Sequence, residues 1–170
     1  MTIQGCNCEE PPGRRHAPPE DRLHDEAISG RPAAPVIIIH SLAQAIAALR
    51  APLKVGRPVV LASATGAGSY VGPGWFGALV AAAREAVPDA RFSTLLDCGD
   101  DVGAALAAIR SEIEGVVFTG RADVARRLAD MARQHGVQFA TDRPAAALDL
   151  GDDFFAASEI LERRCADLLT

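Results

Sequence analysis

Val36-Ile37-Ile38-Ile39-His40-Ser41-Leu42-Ala43-Gln44-Ala45-Ile46-Ala47-Ala48-Leu49 joins a run of four β-branched residues to a segment with a different period. Branching at Cβ suits the pleated backbone, so Val36 to Ile39 predicts a strand. Leu42, Ala45, Ile46 and Leu49 recur at three- and four-residue spacing, which lines them along one face of a helix. Ser41 stands between the two and is a residue type that caps a helix start. The unit is strand then helix, and Pro52 marks its expected end.

Downstream the same unit repeats. Val59 to Ala62 predicts a second strand, the Gly-rich stretch Thr65 to Gly74 a loop, and Phe76, Leu79, Val80, Ala83 and Val87 the buried face of a helix starting near Trp75. Phe92 to Leu96 is the third strand. Asp100 or Asp101 is suited to cap the helix that follows, which presents Val102, Leu106, Ile109 and Ile113. A fourth strand, Val116 to Phe118, leads through Thr119-Gly120-Arg121 to a helix carrying Val124, Leu128 and Met131, with Gly136 as the glycine after its last turn. Val137 to Ala140 is the fifth strand. Thr141-Asp142-Arg143-Pro144 reads as a surface turn with an internal ion pair, and a last helix begins at about Asp153 with Phe154, Ser158, Leu161, Cys165 and Leu168 in one stripe.

Strands alternating with helices are the mark of a parallel sheet. The expected fold is α/β: a three-layer, five-stranded, mostly parallel sheet, flavodoxin-like or Rossmann-like, with strand order 2-1-3-4-5. The alternative is an open half of a (β/α)₈ barrel completed by a second copy. Either arrangement puts ligands at the carboxyl ends of the strands.

Upstream the texture changes. Residues 1–35 are dense in proline and charge and have no sustained period, so they predict a flexible arm ahead of a single domain over residues 36–170. Leu23, Ala27 and Ile28 could form one helical turn there. Cys6-Asn7-Cys8 with His16 and His24 lacks the matching second pair that a metal site needs, so no metal is expected.

Composition excludes several classes. A formal net charge of −5 does not supply the positive excess that nucleic-acid backbones demand. Apolar runs are strand-length, far short of a bilayer span, and the first ten residues show no basic-then-apolar leader, so no membrane partner is expected and the cytoplasm is the expected location. There the four cysteines stay as thiols. Lys54 is the only lysine, leaving one donor for Schiff-base chemistry, and it falls between a helix end and a strand start, on the face opposite the strand carboxyl ends.

Three strand ends carry the candidate chemistry. In the loop after the second strand, Thr65, Gly66, Gly68, Ser69, Gly72 and Gly74 offer backbone N–H groups and hydroxyls to an anion, although neither the phosphate-loop nor the dinucleotide fingerprint is spelled out. Tyr70 and Trp75 flank that loop and could wall a pocket. Asp97 and Cys98, at the end of the third strand, suit a general base and a thiol nucleophile at a helix start, and order 2-1-3-4-5 would bring His40 opposite them as a proton-transfer group. Thr119, Gly120 and Arg121 offer a second anion contact after the fourth strand.

These residues predict a small-molecule enzyme or ligand-binding domain holding a phosphorylated or carboxylated metabolite at the strand ends, with no cofactor specified. The competing expectation is a non-catalytic interaction or regulatory domain, with a homodimer among its partners. A flavodoxin-type flavin site is disfavoured because His40-Ser41-Leu42-Ala43 has no phosphate-cradling glycines. A receiver-type phosphate acceptor is disfavoured because the first strand ends without an acidic cluster.

Overall fold

The computed structural model describes residues 34–53 and 56–168. The arm with Cys6, Cys8, His16 and His24, and Lys54, lie outside the described residues. Among the described residues the fold is α/β with a parallel sheet, in six strands rather than five: β1 (Val36–Ile39), β2 (Val59–Ser63), β3 (Phe92–Asp97), β4 (Gly115–Val117), β5 (Gln138–Ala140) and β6 (Leu148–Asp149). The helices are α1 (Leu42–Leu53), α2 (Ala67–Tyr70), α3 (Gly72–Ala86), α4 (Val102–Arg110), α5 (Ala122–Gln134) and α6 (Ser158–Asp167). Pro52 lies inside the last turn of α1, and the segment at Asp153 is a 3-10 turn, Gly151–Asp153, so the last helix starts later than its apolar stripe implied.

Strand order is β5-β4-β3-β2-β1-β6, which corrects the expected 2-1-3-4-5. β1 pairs with β2 and β6, not with β3. Periodicity within a strand fixes its faces but carries no information on its neighbours, so local pattern could not settle this. Among the described residues, β5 and β6 form the two edges of the sheet.

This order dictates where the connections run. From β1 to β5 the chain steps across the sheet in one direction, and right-handed crossovers then lay every connecting helix on the same face. Register agrees: Ile37 and Leu61 are partners, Leu61 partners Thr94, and Leu96 partners Val116, so all share a face. On that face Ile37, Leu61 and Leu49 pack with Leu79 and Leu161 in one apolar cluster, and Leu96, Val116 and Phe118 pack with Phe76, Ile109 and Leu128 in another. Removing a buried side chain of this size from water stabilises the fold by about 1.5–3 kcal/mol.

The return from β5 to β6 runs the opposite way across the sheet, so a right-handed connection must pass over the other face. Residues 141–147 make that crossing. Five strand spacings of about 4.8 Å separate β5 from β6, roughly 24 Å along the sheet. Eight residue steps of about 3.3 Å barely span this, which leaves no slack for a helix. Ala147 N–H bonds Val36 C=O at 2.8 Å and seats the far end.

Between this strap and the sheet lies a groove. One compartment of about 370 Å³ is bounded by Val36, Val60, Leu95, Ala140, Arg143 and Pro144. A second of about 60 Å³ continues toward the strand ends past Ile38, Val117, Ser63 and Asp97, again beneath Arg143 and Pro144.

Candidate functional site

Asp97 is the organising residue at the strand ends. It is buried, and one carboxylate oxygen accepts the N–H groups of Gly66 at 3.0 Å and Gly99 at 2.8 Å. The other oxygen accepts from Arg143 Nε at 2.5 Å. Its own N–H donates to Ser63 Oγ at 2.9 Å. A buried carboxylate needs such partners, because an unpaired charge out of water is costly. The hydrogen bond to Asp97 raises the Arg143 pKa above its ordinary value, so the guanidinium is a permanent cation. Its side chain is 43 % exposed and overhangs both compartments of the groove. Arg143 Nη2 also reaches Thr119 Oγ1 at 3.5 Å.

The Gly-rich stretch folds differently from the loop expected. It forms α2 and the first turn of α3, and its amides are engaged internally: Gly66 with Asp97, Ala67 with Ala64 C=O, Ser69 with Gly66 C=O, and Val71 with Ala67 C=O. Gly68 is required by close approach, since a Cβ there would lie 2.6 Å from Cys98 Sγ. Thr65 borders the smaller compartment, Ser69 Oγ reaches Cys98 C=O at 3.5 Å, and Gly72, at φ 78°, starts α3 with Gly74 two residues on. Tyr70 and Trp75 are exposed.

Cys98 is fully buried, and its thiol is pushed up to about 12 by burial and by the charges of Asp97 and Asp101. A nucleophilic cysteine needs the opposite environment. Asp101 caps α4, accepting the Ala104 N–H at 3.0 Å. After β4, Thr119 N–H bonds Gly99 C=O at 2.7 Å and ties two strand ends together. Gly120 sits against the Phe118 ring, and Arg121 is held by Asp123 through Nε and Nη2.

His40 does not face Asp97 and Cys98, because β2 stands between β1 and β3. Its Nε2 pairs with Asp149 Oδ1 at 2.8 Å. Asp149 also accepts the Gly151 N–H at 2.9 Å. Burial pushes the Asp149 carboxyl up, but the His40 and Gly151 hydrogen bonds and the His40 charge together leave it below the ordinary range. Buried Gln44 completes this corner, accepting the His40 N–H at 2.7 Å and donating to Leu150 C=O at 2.6 Å.

The strand ends thus bring together Thr65, Gly66, Gly68, Ser69, Asp97, Cys98 and Thr119, and hold His40 apart with Asp149. Sequence reasoning missed Arg143 and Asp149. Arg143 was read as half of a turn's internal pair with Asp142; its distinguishing signal is a cation directly after a strand's carboxyl end. Asp149 belongs to a two-residue strand too short for any period. Among the described residues, no group of three or more His, Cys, Asp or Glu could hold a metal ion, and no helix is long and apolar enough to cross a membrane. Compared with known proteins, the chain matches no family model and no curated relative.

Proposed function

We propose that this chain is a small-molecule-binding α/β domain that holds a carboxylated metabolite at the C-terminal ends of its strands, with the Arg143 guanidinium as the anion contact. The observation that carries this reading is the position of Arg143, half exposed above a concave, mainly apolar groove. Concave apolar sites with a few convergent polar groups are the usual form of small-molecule pockets. Arg143 spends Nε on Asp97 and, among the described residues, makes no hydrogen bond through Nη1, so a carboxylate can take that edge of the guanidinium. A phosphate dianion suits the place less well, because the Asp97 charge is adjacent and repels a second negative charge more strongly.

The test is thermal unfolding against a panel of carboxylated and phosphorylated metabolites. A ligand at 100 times its Kd adds about 2.7 kcal/mol of stability. The expected result is a shift with carboxylates that disappears in Arg143→Gln. A panel without any shift defeats the reading.

A separate observation favours the interaction reading at another place. Phe155 is 95 % exposed and meets the half-exposed Phe154 edge-on, with ring centroids 5.0 Å apart. Sedimentation of the wild type and of Phe155→Ser over a range of concentrations tests whether this pair joins two copies.

A further inference from the structure

The groove has a chemical asymmetry that narrows the ligand beyond the presence of a carboxylate. Its floor is the sheet face opposite the helices: Val36, Ile38, Val60, Leu95 and Val117 contribute aliphatic side chains, and cross-strand partners Ile38 and Ala62, then Ala62 and Leu95, make that surface continuous across three strands. Its roof is the strap, where Pro144 and the Arg143 stem face the floor. Among the described residues, the only cation bordering either compartment is Arg143, at the strand-end side, while Asp142 borders the larger compartment and Asp97, paired with Arg143, the smaller. A molecule matching this pattern has one anionic head and an unbranched or narrow apolar body.

The roof is also weakly held. Among the described residues, the only hydrogen bonds or ion pairs joining residues 142–146 to the sheet are those from Arg143 to Asp97 and Thr119. All seven strap residues are exposed. An anion on the free edge of Arg143 adds a third partner to the one side chain that latches the strap.

We propose that the groove binds a medium-chain monocarboxylate, with its head on Arg143 and its hydrocarbon body along the Val36–Ile38–Val60–Leu95 floor, and that residues 141–147 act as a lid that tightens over it. This rests on the carboxylate reading above and adds the length, polarity and location of the ligand's body.

The experiment is calorimetric titration of the full chain with sodium acetate, butanoate, hexanoate, octanoate and succinate, with hydrogen exchange of the strap amides followed at saturating octanoate. Burying each methylene strengthens binding by about threefold to fourfold, so affinity should climb from butanoate to octanoate. Succinate, with a second charge, should bind no better than butanoate. Ile38→Thr/Val60→Thr keeps β-branched residues in both strands and makes the floor polar. It should flatten the length dependence while its unfolding midpoint confirms a folded chain. Exchange at residues 142, 143 and 145–147 should slow on binding.

Equal affinity for all chain lengths, or a length dependence unchanged in the Thr variant, would overturn the groove assignment and leave Arg143 as a bare carboxylate site. Strap exchange unchanged at saturation would overturn the lid. Absence of binding by every carboxylate would remove the underlying reading together with this one.

Discussion

Arg143 and Asp97 are 46 residues apart in sequence and joined by a 2.5 Å hydrogen bond, so that one ion pair fastens the strap to the end of the third strand. The two partners contribute unequally. Asp97 is buried and serves two backbone N–H groups besides the guanidinium, whereas Arg143 is close to half exposed.

Asp97→Ala should therefore destabilise the fold by about 2–3 kcal/mol, since it removes the oxygen to which both the Gly66 and Gly99 N–H groups donate and leaves those donors without an acceptor. Arg143→Ala should cost less than about 1 kcal/mol, the range for a solvent-screened pair. Urea unfolding of both variants checks this, and equal losses would contradict it.

Asp149 gives a pH dependence with a definite sign. Its folded pKa lies below the ordinary carboxylate value, so its contribution is present above the unfolded pKa of about 3.9 and disappears as pH falls through the lower folded value. The unfolding midpoint of the wild type should fall more steeply below about pH 4 than that of Asp149→Asn. Parallel acid limbs would show that the tie between β1 and β6 carries no charge linkage.

Cys98 and Cys165, both buried with thiols pushed up to about 12 and about 11, should be inert in the native chain. In a Cys6→Ser/Cys8→Ser background, a disulfide reagent at pH 8 should label neither until denaturant is added, after which both react. Rapid labelling of Cys98 in the folded state would restore it as a nucleophile.

Two glycines are open to opposite explanations. At Gly115 a Cβ would stand 2.8 Å from the Thr94 carbonyl oxygen, so Gly115→Ala must displace a strand and should cost about 1–3 kcal/mol through overpacking. Gly136 has φ 69° with open space around its Cβ position, so Gly136→Ala should cost only the left-handed penalty of about 1–2 kcal/mol. Gly136→Asn should recover part of that loss, while Gly115→Asn should be worse than alanine.

The five longer strands were legible because β-branched runs such as Val36 to Ile39 announce themselves locally, and Asp101 and Gly136 terminate helices by chemistry confined to a few residues. Strand order was not legible: nothing in Ile38 itself says whether Ala62 or a residue of the third strand lies beside it. The error at His40 followed directly, since its partner is set by that order. The Gly-rich stretch misled for a different reason. Glycine marks close approach without naming what approaches, and at Gly68 it is the Cys98 sulfur that leaves no room for a Cβ. Arg143 looked like a turn residue because its partner Asp97 lies two strands away in the sheet.

The consecutive order of β1 to β5 bears on how the chain is made. Each strand and helix leaving the ribosome finds its neighbour already present, so the sheet can grow by accretion with short-range contacts at every step. β6 is the exception. Until residues 148 and 149 have been synthesised and carried back across the sheet, β1 keeps an unpaired edge of the kind that recruits other chains. A nascent or truncated chain ending before the strap is complete should be the aggregation-prone species, and the stretch from residue 141 onward is what closes that window.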